Sequence, residues 1–282
     1  MTTFTTLVSA TELLARLQQA PPPLVLDAGF DLADPAAGER AFAASHIPGS
    51  RYVHLDRDLC GPLTGGNGRH PLPERRALAA TAGRLGVAPE TQVVALDRQG
   101  GVYAARLWWM LRWLGHDTVA VLDGGLRAWQ AAGGPTASEV TAALPAPPYP
   151  ERAPLAAAVD LEQVARRGAD AALLDARSGE RFRGEVEPID RVAGHIPGAL
   201  NRPFAANLGA DGRFKPAAAL LDEFRVALGR RDPRAVIHAC GSGVTACHNL
   251  LAMEHAGLAG SLLYPGSWSE WSADPARPVA RG

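Results

Sequence analysis

The sequence predicts an α/β protein of two domains built to one plan, each a mainly parallel sheet flanked by helices. Three observations carry that prediction: an internal repeat, an alternation of short apolar runs with helical patterns, and a proline-dense stretch near the middle of the chain. The repeat has three landmarks. "LVLDAGF" at 24–30 recurs as "ALLDARS" at 172–178, "SHIPGS" at 45–50 as "GHIPGA" at 194–199, and "LDGGLRAW" at 122–129 as "YPGSWSEW" at 264–271. The offsets, 148 from Asp27 to Asp175, 149 from His46 to His195 and 142 from Trp129 to Trp271, are nearly constant and in one order, as two copies of a domain require.

Each copy opens on a helix signal. Ser9 with Glu12 in "SATELLARL" and Asp160 with Gln163 in "VDLEQVARR" both have capping-box spacing. β-prone runs follow, "PLVLDA", "TQVVALD" and "VAVLDGG" in the first copy and "ALLDAR", "AVIHAC" and "SLLYPGS" in the second, separated by helical stretches. That alternation is the pattern of parallel strands joined by crossover helices. Between the copies, Pro135, Pro145, Pro147, Pro148, Pro150 and Pro154 forbid a continuing helix or central strand. The expected division is 1–135, a linker over 136–154, and 155–282.

Composition narrows the function classes. A chain of 282 residues that is 47% hydrophobic and 20% charged has the make-up of a soluble globular protein. A net charge of −1 supplies no basic field for nucleic acid or an anionic membrane surface, so neither is expected as a partner. The first residues lack a basic start followed by an apolar core, and no run approaches the ~18 apolar residues of a membrane span. Three cysteines, Cys60, Cys240 and Cys247, are too few and too irregularly spaced for a disulfide scaffold or a zinc site. A reducing cytoplasm is the expected compartment, and a cysteine that matters here acts as a thiol.

Cys240 is that thiol. In "VIHACGSGVTACHN" an apolar strand pattern stops at the cysteine, a glycine-rich turn follows, and a helical pattern begins. Ligands of open parallel sheets sit beyond the carboxyl ends of strands. The first turn of a helix leaves amide N–H groups unpartnered, and glycines let amides converge on an anion. The backbone of Gly241, Gly243, Val244 and Thr245 is therefore expected to cradle an anionic substrate and to favour the thiolate. A buried packing cysteine needs no such cradle, and that plainer reading is kept for Cys60 and Cys247. In the first copy the counterpart of the loop is "ALDRQGGVYA", with Asp97 where the cysteine belongs, so only the second copy is able to do thiol chemistry.

Tandem domains marked by "HIPG" and "GSWSEW", with "CGSGVTA" as the second loop, resemble the rhodanese superfamily of sulfurtransferases over essentially the whole chain, and the loop resembles its 3-mercaptopyruvate branch. The resemblance implies two tandem rhodanese-like domains and transfer of sulfur through a persulfide on Cys240. The donor is a small molecule, 3-mercaptopyruvate yielding pyruvate or, alternatively, thiosulfate; the acceptor is cyanide or a thioredoxin-like dithiol. No metal or organic cofactor is implied.

By the same resemblance Ser242 and Asp56, ten residues beyond His46, complete a catalytic group with Cys240. Two arginines before the second "HIPG" are implied to bind the substrate carboxylate. Arg181 matches the first. The second does not match, because the segment is shorter than a common family form and reads "EPID", which leaves Arg191 as a shifted substitute and thiosulfate as an open donor. His46 and His195 are expected to brace turns, Trp108 and Leu111 to pack in a core, Trp268 and Trp271 to pack beside the site, and His70 to be a loop histidine without a role there. A cysteine phosphatase would need an arginine where Ala246 stands, to clamp phosphate. A noncatalytic relay module would not need Cys240, Ser242 and Asp56 together.

Overall fold

The computed structural model describes residues 3–139 and 147–282. In the first copy, β1 (Leu7–Val8) leads into α1 (Ala10–Leu17). Ser9 Oγ accepts the Glu12 amide at 3.2 Å and the Glu12 carboxylate accepts the Ser9 amide at 2.9 Å, which is the expected capping box. β2 (Leu24–Asp27), α2 (Ala37–Ala44), β3 (Arg51–Tyr52), α3 (Leu55–Asp58) and α4 (Arg75–Arg84) follow, then β4 (Val93–Leu96), α5 (Val102–Trp113), β5 (Val119–Leu122) and α6 (Gly125–Ala131). The strands form one sheet in the order β1-β5-β4-β2-β3, every pair parallel.

The second copy repeats the plan with β6 (Ala157–Ala158), α7 (Leu161–Ala165), β7 (Ala172–Asp175), α8 (Gly179–Arg183), β8 (Leu200–Asn201) and α9 (Ala217–Leu228). β9 (Val236–Ala239), α10 (Ala246–His255), β10 (Leu262–Leu263) and α11 (Ser267–Trp271) complete it. Asp160 and Gln163 form the second capping box at the start of α7. The sheet order is β6-β10-β9-β7-β8, again parallel throughout and the same permutation as the first. An identical order in both sheets is what the internal repeat requires.

The middle strands β4 and β9 are buried along their whole length, which is why they read as near-continuous apolar runs, broken in β9 by His238, rather than as alternating patterns. Val8, Leu13, Val25, Leu122 and Trp129 pack around the first sheet; Val164, Leu173, Ile237, Tyr264 and Trp271 occupy the corresponding core of the second. Each fully buried apolar side chain contributes roughly 1.5–3 kcal/mol. Helix α5 is buried on every side from Val102 to Leu111, and Trp108 sits there as core, its indole N–H on the Thr5 carbonyl at 2.8 Å. The two "HIPG" histidines brace turns: His46 Nδ1 donates to the Phe42 carbonyl at 2.7 Å and His195 Nδ1 to the Phe182 carbonyl at 2.8 Å, each ring stacked on that phenylalanine.

Two short segments cross the contiguous division read from the sequence. One compact unit comprises Met1–Cys60, Pro73–Leu155 and Asp211–Arg213; the other comprises Gly61–Leu72, Ala156–Ala210 and Phe214–Gly282. Part of the expected linker, including Pro145, lies outside the described residues. Its later part packs on the first unit, where the Tyr149 amide donates to the Ala79 carbonyl and the Tyr149 ring is buried. Among the described residues no helix is long and apolar enough to cross a membrane.

Candidate active site

Strand β9 delivers Cys240 to the carboxyl edge of the second sheet, in the middle of its strand order, and α10 begins six residues later. The intervening loop is tight. Gly243 has φ +76°, and a Cβ there would lie 2.4 Å from the Pro265 carbonyl oxygen, so only glycine fits. That conformation turns the Gly243 amide back on Cys240, with N to Sγ 3.1 Å. Gly241, Ser242, Gly243 and Val244 are buried and Thr245 is half-buried. Cys247 is fully buried on α10 and gives its S–H to the Gly243 carbonyl at 3.3 Å, and burial pushes the Cys60 thiol up to about 11.

A second element clasps the loop from behind. Ser267, the first residue of α11, has φ +53°, the left-handed region that costs a non-glycine residue on the order of 1–3 kcal/mol. Its Oγ accepts the Cys240 amide at 3.0 Å and donates to the Tyr264 carbonyl at 2.8 Å. The next two amides continue the clasp, Trp268 to the Cys240 carbonyl at 3.0 Å and Ser269 to the Gly241 carbonyl at 2.9 Å. Trp268 and Trp271 are buried beside the loop, as expected from sequence, with indole N–H groups on the Val192 and Pro278 carbonyls. Ser267 and Ser269, on either side of Trp268, are the part of "GSWSEW" that the sequence reading missed.

Ser242 has a partner that the sequence reading also set aside. His70 Nδ1 lies 2.7 Å from Ser242 Oγ, with both residues 6% exposed. The histidine arrives on the segment Gly61–Leu72, which belongs to the unit that holds the thiol. His70 thus stands beside Ser242, a placement that no spacing in "GRHPLPE" signalled.

Charge converges on the same loop. A Cβ built on Gly241 would lie 2.8 Å from Arg69 Nη2 and 3.7 and 3.8 Å from the Arg181 Nη2 and Nη1 atoms, so both guanidiniums crowd the residue after the thiol. Arg181 Nη2 donates to Glu187 at 2.6 Å and to Asp190 at 3.3 Å, while Arg69 pairs with the other oxygen of Asp190. Arg177 holds Asp175 at 2.7 Å and reaches Glu187 at 3.4 Å. Burial raises the Asp190 carboxyl, with Arg69 and Arg181 opposing that rise. Burial acts the same way on Glu187, yet hydrogen bonds from Arg181 and from the Asp190 and Ile189 amides outweigh it and hold Glu187 below the usual range.

Arg191, the expected second arginine, is exposed and takes no part in these contacts; Arg69 stands beside Arg181 instead. Asp56 is exposed in the first unit on α3, whose opening amides at Asp56 and Arg57 are capped by His54 Nδ1 at 3.2 and 3.3 Å. Its sequence neighbour Arg57 pairs with Glu39 at 3.2 Å. Among the described residues no cluster of histidine, cysteine or acidic side chains is arranged to hold a metal ion.

The Rhodanese-like domain family matches twice, over residues 9–132 and 158–274. The chain belongs to the rhodanese-like family. A probable 3-mercaptopyruvate sulfurtransferase from Pseudomonas aeruginosa is 48% identical over 98% of each chain, and a putative thiosulfate sulfurtransferase from Mycobacterium tuberculosis is 40% identical over 98% of this chain and 97% of its own. The 3-mercaptopyruvate sulfurtransferase from Leishmania major superposes with a TM-score of 0.83 at 29% identity, covering 95% of this chain and 74% of that one. As a two-copy rhodanese-like chain aligned end to end with such relatives, this protein is an enzyme of the sulfurtransferase class.

Proposed function

We propose that this rhodanese-like enzyme takes sulfur from 3-mercaptopyruvate, carries it as a persulfide on Cys240 and passes it to a thiophilic acceptor. The observation that carries the reading is the convergence on one loop of the Cys240 thiol under the Gly243 amide, the Ser242–His70 pair, and the guanidiniums of Arg69 and Arg181. A carboxylate donor needs a planar cation to orient it, and arginine supplies two parallel donors. The Cys240 thiolate attacks the donor sulfur, an S–S bond forms, and the C–S bond breaks with its electron pair leaving as the enolate of pyruvate. Ser242, held by His70, has a proton to offer that developing oxyanion. Protonation at carbon then gives pyruvate.

In the second half, cyanide attacks the outer sulfur and leaves as thiocyanate, or a dithiol of thioredoxin type takes the sulfur and restores the Cys240 thiolate. Asp56 enters this reading through the family resemblance alone, as the carboxylate that the family's catalytic group includes. The three free cysteines suit a reducing cytoplasm, which we take as the compartment. Thiosulfate is the second reading, favoured by the name of the M. tuberculosis relative. There the attacked outer sulfur leaves sulfite behind.

Intact-mass measurement after incubation with each donor tests the proposal. The expected result is a gain of one sulfur atom that is lost in Cys240→Ser and kept in Cys247→Ser. No gain from either donor, with Cys240 open to alkylation, overturns it. Equal losses in the two variants would mean that the wrong thiol has been assigned.

A further inference from the structure

The arginines beside Gly241 do not present their charge freely. Asp190 has a side chain only 7% exposed, and it accepts from Arg69 through one oxygen and from Arg181 through the other. Counting outward from that contact, the guanidiniums of Arg69, Arg177 and Arg181 are matched by the carboxylates of Asp175, Glu187 and Asp190. The cluster is balanced before any substrate arrives. Three carboxylates do not serve the same end, however. Asp175 pairs with Arg177, which lies over the Trp268 ring, and Glu187 pairs with Arg177 and Arg181, whereas Asp190 alone touches both of the arginines that crowd Gly241.

We propose that Asp190 tunes donor specificity: it holds Arg69 and Arg181 over the Cys240 loop and, by its negative charge beside them, shifts the preference of the site from a dianionic donor toward a monoanionic one. This rests on the proposed sulfur transfer and says which donors the site admits. The physical reason is Coulombic. A buried charge is weakly screened, and its repulsion of an incoming anion grows in proportion to that anion's charge. 3-Mercaptopyruvate with its thiol protonated carries one negative charge and thiosulfate carries two, so Asp190 opposes thiosulfate twice as strongly. The attraction of the two guanidiniums scales with charge in the same way and favours the dianion, so Asp190 offsets part of that advantage and shifts the preference toward the monoanion. The aspartate lies in the "EPID" segment, where the sequence departs from the family form, and Arg69 stands beside Arg181 at Gly241.

The test compares the wild type with Asp190→Asn, which keeps the shape and removes the charge. With both donors, the ratio of kcat/KM for thiosulfate to that for 3-mercaptopyruvate is expected to rise on the order of tenfold. A ratio that stays the same while both rates change by one factor overturns the proposal and leaves Asp190 a structural brace.

Binding in the Cys240→Ser background keeps the question open to measurement even if turnover collapses. Calorimetric titration with sulfate, a dianion, and pyruvate, a monoanion, is expected to show sulfate gaining more affinity than pyruvate on removal of the Asp190 charge. Equal gains, or a loss for both that Asp190→Glu restores without any change in their ratio, overturn it. Because these titrations involve no sulfur transfer, charge selection without persulfide formation in the wild type would sink the proposed reaction and spare the role of Asp190.

Discussion

The two copies build the same loop at the end of the same central strand and use it in opposite ways. In the first, Asp97 occupies the cysteine position, and its own carboxylate accepts the amides of Gln99 and Gly101 through one oxygen and those of Tyr103 and Ala104 through the other, all at 2.8–3.0 Å. The anion nest is complete, and the chain itself fills it. In the second, Cys240 receives one amide, that of Gly243, and the arginines lie beside the next residue. A repeat that keeps the backbone device while changing one side chain separates a structural anion site from a chemical one.

The clasp behind each loop repeats with a similar twist. Gly125 has φ +58° and Ser267, its counterpart, has φ +53°. Glycine adopts that conformation without strain and would meet the Asp97 carbonyl at 2.2 Å if it carried a Cβ. Serine carries the strain, and in return its hydroxyl accepts the Cys240 amide. The following amide bonds back to the loop in both copies, Leu126 to the Asp97 carbonyl at 3.4 Å and Trp268 to the Cys240 carbonyl at 3.0 Å. The shorter bond belongs to the copy with the thiol.

The comparison makes predictions that break or sharpen it. The largest effect is expected from the group that the first copy lacks: Ser242→Ala should lower kcat with 3-mercaptopyruvate about a hundredfold. His70→Ala should do the same, and the double variant should be little worse than either single one. Additive losses in steady-state rates would mean that Ser242 and His70 do not act as a pair.

Next comes the filled nest. Asp97→Ala strips four amides of their acceptor and should destabilise the first unit by about 3 kcal/mol or more, since hydrogen bonds to a charged group contribute about 1.5–3 kcal/mol each. Denaturant melting checks the loss. Persulfide formation on Cys240, measured by intact mass below the transition, should persist.

Third, the central strands differ at Ala95 and His238, two residues before Asp97 and Cys240. His238 is fully buried with neither ring nitrogen hydrogen-bonded, and burial lowers its pKa from 6.5 to about 3. The unfolded chain thus binds a proton between those values that the folded chain does not. Stability is fully present above about pH 6.5 and falls with acid by up to about 1.4 kcal/mol per pH unit. His238→Ala, which copies the first domain, should flatten that acid limb of the melting-temperature profile, and an unchanged slope would assign the sensitivity elsewhere.

The smallest effect concerns the clasp. Ser267→Gly should relieve backbone strain and leave melting within about 1 kcal/mol of the wild type, because the lost hydrogen bond and the relieved strain oppose each other. It should still slow persulfide formation several-fold, since the Cys240 amide loses its acceptor. An unchanged rate in single-turnover mass measurements would reduce the serine to packing.

Much of this was written along the chain. The duplicated plan was legible because landmarks such as Asp27 and Asp175 recur at near-constant offsets, and the capping boxes at Ser9 and Asp160 were legible because caps depend on residues three apart. The thiol loop was legible for the same reason: strand, cysteine, glycines and helix are consecutive, and local backbone geometry confines Gly243 to glycine. Arg181 was legible through the family resemblance, by its place before "HIPG".

By itself, then, the sequence determined the two-domain α/β plan and the placing of Cys240 at a strand end before a glycine-rich turn, features governed by neighbours in the chain. Only the tertiary structure decided what surrounds the thiol. His70 meets Ser242 across 172 residues, Arg69 meets Asp190 across 121, and Ser267 reaches the Cys240 amide across 27. These pairings carry no periodicity or spacing rule, because folding of distant segments onto one sheet edge creates them. That is why the sequence pointed to Arg191, which is exposed, and not to Arg69, which stands beside Arg181.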